Sequence, residues 1–216
     1  MIHRLLQLLF PEKCIFCRKI LTENETDLCH SCRQSAPAFS KGNFKISFIA
    51  RWTGLWYYKD NVRQSILRYK FSGRRSYAPA YGRMLAMRLM NTGFDDFDVL
   101  TWVPISARRR WKRGYDQVEL LCGCVAKELN VPTVKTLRKI RHTPPQSVIR
   151  EEAKRKANVL GAYQVTDPVL IAGKRVLLLD DILTTGATAS ECARTLLTAG
   201  ASEVTYAALA IAAYKK

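Results

Sequence analysis

Apolar residues recur along this chain in two rhythms, and the alternation between them predicts its elements. They fall at helical spacing from Val62 to Phe71, where Gly73 closes the helix, and again from about Tyr77 to Met90, Gln117 to Leu129 and Thr188 to Ala199. Short apolar runs at Asp98 to Ile105, Val131 to Val134, Arg175 to Leu179 and Val204 to Ala212 predict strands. Ile46 to Tyr58, rich in aromatic and β-branched residues and broken by Thr53-Gly54, predicts a β-hairpin or a pair of short strands. Strands alternating with helices imply an α/β fold, a parallel sheet flanked by helices on both faces.

Four stretches depart from these rhythms. Ile2 to Phe10 has helical spacing but stops at Pro11, so a short amphipathic helix is expected there. With Arg4 and His3 as its basic residues it makes a weak membrane face, and packing on the following module is the better use of it. Residues 12–35 carry paired cysteines, and Ala36 to Lys45 reads as a linker. The division expected is therefore 1–40 for a helix and cysteine module and 46–216 for the α/β domain. Arg138 to Asn158 is polar and basic, with Pro144-Pro145 inside it, which predicts a mobile functional loop.

The chain of 216 residues is long enough to bury a sizeable core, and 48% hydrophobic with 25% charged residues is a globular composition. No run approaches the roughly 18 apolar residues of a membrane span, and Met1 to Phe10 is too short for a secretory signal, so a cytoplasmic address is expected. The net charge of +17 is unevenly placed. Lys and Arg outnumber Asp and Glu by 9 to 1 over residues 51–90 and by 14 to 5 over 103–156, but residues 157–216 balance at 5 to 5. A basic surface for a polyanion follows, or else a solvated face.

Cys14-Ile15-Phe16-Cys17 and Cys29-His30-Ser31-Cys32 form two CxxC units eleven residues apart. Cys14, Cys17, Cys29 and Cys32 can close on one tetrahedral zinc ion, and a closed four-thiolate site serves folding rather than catalysis. A redox dithiol or a set of free thiols is the alternative. Cys122, Cys124 and Cys192 lie in apolar helical patterns, where a thiol behaves as a small hydrophobe.

The apolar run Val176 to Leu179 ends in Asp180-Asp181-Ile182-Leu183-Thr184-Thr185-Gly186-Ala187-Thr188. Adjacent carboxylates at the end of a buried strand are costly unless they serve a ligand or metal. The hydroxyls and glycine that follow open a helix whose backbone N–H groups suit a phosphate. A strand-turn-helix without a ligand is the alternative, and a Walker-type loop is excluded because GxxxxGK[ST] is absent.

This stretch resembles the signature of the type I phosphoribosyltransferases. The resemblance implies that Asp180 and Asp181, as the catalytic pair, hold the ribose hydroxyls of 5-phosphoribosyl pyrophosphate. Thr184, Thr185, Gly186, Ala187 and Thr188 would wrap its 5′-phosphate. Over nearly the whole chain, the order of features is similar to the ComF family, competence-associated proteins that join a zinc knuckle to such a domain. The matching stretches are the cysteine module, Arg68-Tyr69-Lys70-Phe71-Ser72-Gly73, Val103 to Ser106, Arg113-Gly114-Tyr115-Asp116-Gln117, Thr143 to Gln146 and Asn158 to Tyr163. Tyr115-Asp116 stands where the family pattern has Phe-Asn, and Ser147-Val148 where it has a small or glycine-containing pair. The resemblance places pyrophosphate on Ser106, Ala107, Arg108 and Arg109, makes 138–156 a hood that closes over substrate, and implies Mg²⁺ with the pyrophosphate. It implies single-stranded DNA and competence-machinery proteins as partners in natural transformation.

Basic and aromatic residues interleave at Arg51-Trp52 and at Arg109, Arg110, Trp111, Lys112 and Arg113, which suits stacked bases with phosphate contacts. These aromatics could equally be core residues with a polar tip. An active transferase on an unidentified acceptor is the alternative function, and no general base is legible.

Overall fold

A computed structural model of the chain describes residues 11–40, 44–141, 143 and 152–212. The helices are α1 His30–Ser35, α2 Asp60–Phe71, α3 Ala78–Asn91, α4 Ala107–Arg113, α5 Gln117–Leu129, α6 Glu152–Val159 and α7 Ala187–Thr198. The strands are β1 Arg51–Tyr57, β2 Val99–Trp102, β3 Leu137–Lys139, β4 Tyr163–Val165, β5 Arg175–Leu183 and β6 Glu203–Ile211. One sheet has the order β1-β6-β5-β2, parallel throughout, and β3 pairs antiparallel with β4 beside it.

Alternation along the central strands divides the core. Leu177 and Leu179 of β5 face α2, α3 and α5, whereas Val176 and Leu178 face α7, α6 and the β3–β4 pair. Covered on both sides, β5 and β6 are nearly continuous apolar runs, as a parallel sheet requires. Cys14, Ile15, Phe16, Leu28, Cys29 and Cys32 share the first of these two clusters with Tyr69, Tyr81 and Leu85, so the cysteine module packs onto the α2–α3 side.

Several expectations are corrected. Residues 46–58 form no hairpin: β1 is one strand parallel to β6, and Gly54 is a point of close approach. A Cβ there would lie 2.6 Å from Ile211 Cδ1, so the glycine that resembles a turn signal is a packing requirement. The linker is partly structural, because Phe39 N donates to Leu55 O and Tyr57 N to Pro37 O, covering the outer edge of β1. Val131 to Val134 contributes a single bridge, Thr133 to Leu100, since Pro132 supplies an acceptor and no donor. The basic stretch 138–158 begins in β3 and ends in α6, with Pro144-Pro145 outside the described residues. The helix expected over Ile2 to Phe10 also lies outside them. β5 runs past Leu179 and carries both aspartates within the strand.

Candidate functional site

The chain leaves β2 outward toward the Thr133 bridge and leaves β5 in the other direction, through α7 to β6. Connections that diverge from neighbouring strands open a crevice at their carboxyl ends, where α/β folds place ligands. A pocket of about 480 Å³ occupies this crevice. Val103 to Ile105 form one wall, Asp180 to Thr184 with Gly186 and Thr188 another, and Arg63, Leu67 and Lys70 of α2 a third. Residues 63, 67 and 70 share one face of α2, while Val62, Ile66 and Tyr69 on the adjoining face are fully buried.

The strand alternation separates the two aspartates. Asp181 points to the α2–α5 side, where Lys70 Nζ lies 2.9 Å from its Oδ1 and the Gln117 amide donates to Oδ2. Arg113 donates to the oxygen of the same amide, which sets the orientation of the amide group. Asp180 points to the α7 side, where the Tyr206 hydroxyl is 3.3 Å from its Oδ2. Tyr206 stands opposite Leu178 in the ladder, two residues before the partner of Asp180, a diagonal its long side chain spans. Burial, and then the charge of Asp181, push the Asp180 carboxyl up to about 8. Lys139 Nζ, 3.1 Å from the Tyr163 hydroxyl, is pushed down to about 8 by burial and by Arg109.

The residues expected to wrap the 5′-phosphate, Thr184 to Thr188, lead into the start of α7. Gly186 is its N-cap with φ +78°, where a Cβ would come 3.2 Å from Ile46 Cγ2. Ala187 N reaches Thr185 Oγ1 at 3.5 Å, and Thr184 and Thr188 line the pocket directly.

The basic run after β2 forms a helix, α4, whose two sides differ. Ser106 caps it, its hydroxyl accepting from Arg109 N at 3.4 Å, and Gly114 ends it at φ +78°. Arg109 and Arg113, one turn apart, line the pocket, and Arg109 also donates to Thr143 O at 2.8 Å. Ala107, Arg108, Arg110, Trp111 and Lys112 are exposed, with Arg110 paired to Glu119 at 2.7 Å. Of the four residues expected to hold pyrophosphate, only Arg109 lines the pocket. Trp111 is 88% exposed and so is no core residue, whereas Trp52 stacks between Phe39 and Phe44 and donates to Phe44 O. Arg113 also lies 4.9 Å from the ring of Phe71, itself 67% exposed, so α4 and the end of α2 form one rim. Asp116 anchors this region: buried, its carboxylate accepts from Ile105, Val118 and Glu119 N–H groups, which an amide nitrogen could not do.

On the flank of α2 away from the pocket, the ligand atoms of Cys14, Cys17, Cys29 and Cys32 all lie within 4.8 Å of one another, with Cys17 and Cys29 sulfurs 3.6 Å apart. Tetrahedral Zn–S bonds of about 2.3 Å put sulfurs about 3.8 Å apart, so the donor set fits zinc. Burial raises the Cys14 thiol, but backbone N–H groups of Cys17, Cys29 and Phe16 outweigh it and bring it down to about 7. Cys17 and Cys32 are raised instead, chiefly by burial, so the thiolate-favouring contacts belong to Cys14.

Sequence reasoning missed Lys70, Gln117, Lys139, Tyr163 and Tyr206 as pocket residues. Lys70, Gln117 and Tyr163 lie inside stretches read as family matches, a signal present but given no role. Lys139 falls in the stretch 138–156 expected to close over substrate but was not singled out, and Tyr206 has no local pattern to mark it.

Fold and site define a phosphoribosyltransferase-type α/β domain joined to a zinc-ribbon module. Residues 120–216 match the phosphoribosyl transferase domain family and residues 5–43 the double zinc ribbon domain family, although that region holds one set of four cysteines. Competence protein F of Haemophilus influenzae is 24% identical over 90% of this chain and 95% of its own length. Competence protein ComFC of Bacillus subtilis is 26% identical over 91% and 83%. Over about nine-tenths of its length the chain is thus similar to competence proteins of the ComF family. The DNA utilization protein YhgH of Escherichia coli (strain K12) is 33% identical over 62% of this chain, and the match spans 60% of that relative's length. Among solved structures, an allosteric regulatory enzyme of purine biosynthesis overlays 67% of this chain and 29% of its own, with 23% identity and a TM-score of 0.45. Among the described residues no helix is long and apolar enough to cross a membrane.

Proposed function

We propose that this protein binds 5-phosphoribosyl pyrophosphate with Mg²⁺ in the crevice at the end of β5, binds single-stranded DNA on the rim outside it, and acts in DNA uptake. The observation that carries the reading is the meeting, in one pocket, of the Asp180-Asp181 pair and the open N-terminus of α7. The carboxylates suit ribose hydroxyls, and the helix start suits the 5′-phosphate. Arg109 and Lys139 on the opposite side suit the pyrophosphate, with Mg²⁺ neutralising its remaining charge. Trp111 and Phe71, exposed among Arg74, Arg75, Arg108 and Lys112, offer stacking faces within a basic field. The relatives named for competence and DNA utilization support the biological setting. Calorimetric titration with phosphoribosyl pyrophosphate and Mg²⁺, repeated with a single-stranded oligonucleotide, tests both ligands on one sample. Saturable heat is expected in each case, and none with the sugar phosphate would overturn the central assignment.

Phosphoribosyl transfer to an acceptor is the second reading. It is favoured by Lys139, a half-buried amine lining the pocket and pushed down to about 8, which could take the acceptor's proton. Pyrophosphate release on adding candidate acceptors, lost in Lys139→Met, would support it, and release unaffected by that change would exclude Lys139 as the base.

A further inference from the structure

Helix α2 presents three faces to three neighbours. Val62, Ile66 and Tyr69 enter the core, while Arg63, Leu67 and Lys70 line the pocket. On the remaining flank, Ser65 and Arg68 meet the cysteine module. Ser65 Oγ donates to Ile15 O at 2.5 Å, and Arg68 Nη2 donates to Ile15 O at 3.0 Å and to Phe16 O at 2.6 Å. Both carbonyls belong to the two residues between Cys14 and Cys17, so their direction depends on those cysteines closing on one ion. A zinc ion with four thiolates carries two net negative charges, which gives the guanidinium an anionic neighbour. Arg68 Nε is buried with no hydrogen-bond partner, and it is the Nη2 bonds to the knuckle that hold the guanidinium in place. Two residues along the same helix, Lys70 holds Asp181 at 2.9 Å.

We infer that the zinc module holds Lys70 on Asp181 through α2, with Arg68 as the positioning residue, so that metal occupancy governs the geometry of the pocket. The knuckle is then an internal brace, committed to the α/β domain by Arg68 and Ser65, by the Arg83–Asp27 pair at 2.6 Å and by Phe16 against Trp56 at 5.0 Å. Loss of the metal frees the two carbonyls and removes the negative charge beside Arg68. The last turn of α2 then loses its tether on the side opposite the pocket. A charge-assisted pair that must meet a ligand hydroxyl is sensitive to a displacement of about 1 Å.

One arm of the test rests on the proposed sugar-phosphate reading and the other does not. Zinc-loaded full-length protein is compared with Arg68→Ala, Lys70→Ala and the double variant, each checked for zinc content. Binding of phosphoribosyl pyrophosphate with Mg²⁺ is measured by calorimetry. Arg68→Ala should keep its zinc and bind about tenfold more weakly, while adding it to Lys70→Ala should change little, the non-additivity of residues on one route. Independently, hydrogen exchange over residues 67–71 should quicken in Arg68→Ala and on chelation, with α7 unchanged. Additive losses in the double variant, or unaltered exchange in α2, would overturn the inference. If Arg68→Ala does not fold, Ser65→Ala carries the same test with a smaller loss of about threefold. A wild type that binds no sugar phosphate removes the proposed function, and the exchange arm still decides this inference.

Discussion

In the cysteine module four sulfurs lie within 4.8 Å of one another and three of the four residues are buried, whereas the pocket at the end of β5 keeps about 480 Å³ open beside its carboxylates. Both gather polar groups that an apolar interior rejects. The module satisfies them internally, because a metal takes one ligand from each cysteine and leaves no position for water. The pocket satisfies them only in part. Asp181 has Lys70 and Gln117, while Asp180 accepts from the Asp181 N–H at 2.8 Å and has one long side-chain contact, to Tyr206, with its carboxyl pushed up to about 8. A closed site should therefore register damage as lost stability, and an open one as lost binding.

The strongest test of this contrast is Cys14→Ser, which should lose the bound zinc and about 4 kcal/mol of stability, a fall in Tm of roughly 8–16 °C for a chain of this length. Elemental analysis and a thermal melt read it, and zinc-free wild-type protein with an unchanged melt would break the comparison. Next comes Asp180→Asn with Asp181→Asn. It should cost a charge-assisted contact from Asp181 and a neutral one from Asp180 to ribose hydroxyls, about 3 kcal/mol or a hundredfold in affinity for phosphoribosyl pyrophosphate, with the far-UV spectrum preserved. Calorimetry showing undiminished affinity would remove both residues from the site.

The two sides of α4 sharpen the same contrast within one helix. Trp111→Ala should lower single-stranded DNA affinity by roughly 1–3 kcal/mol at every salt concentration. Alanine at Arg108, Arg110 and Lys112 should instead reduce the salt slope by about 2, since each phosphate contact on a single strand releases about 0.7 of a counterion. Arg109→Ala and Arg113→Ala should weaken sugar-phosphate binding with less change in that slope. A filter-binding salt series separates these outcomes, and a slope unchanged in the triple variant would show that the outer face meets no phosphates.

The smallest effect is read by its direction. The Asp180 carboxyl moves from the ordinary value of 3.8 to about 8, facing Asp181, Lys70, Lys139, Tyr206 and Cys192. Between those values the folded chain holds a proton that the unfolded chain has released. Stability therefore falls as pH rises through this window. Asp180→Asn should show a shallower fall in Tm between about pH 5 and about pH 8.5, and parallel curves for the two proteins would place the Asp180 titration elsewhere.

How far each region was legible follows from the distance between its parts along the chain. The cysteine module was readable because its ligands lie within nineteen residues, Cys14 to Cys32, in a paired spacing that suits one tetrahedral ion. The Asp180 to Thr188 loop was readable for the same reason. α4 was not, although Ser106 and Gly114 bracket it as cap and stop, because Trp111 is the one large apolar residue between them and sets no period. Gly54 misled because a glycine demanded by Ile211 on the neighbouring strand looks, in sequence, like one demanded by a turn.

Local pattern thus determined the α/β class, the metal ligands and the acidic pair, since hydrophobic period, ligand spacing and a strand-to-helix junction are properties of neighbours in the chain. The tertiary structure decided what each of these faces. It sent Asp180 and Asp181 to opposite sides of one sheet, and divided a run of arginines into Arg109 and Arg113 inside and Arg108 and Arg110 outside. It brought Lys70 to Asp181 across 111 residues. Such contacts depend on the packing of α2 between sheet and knuckle, and a one-dimensional pattern carries no record of packing between distant segments.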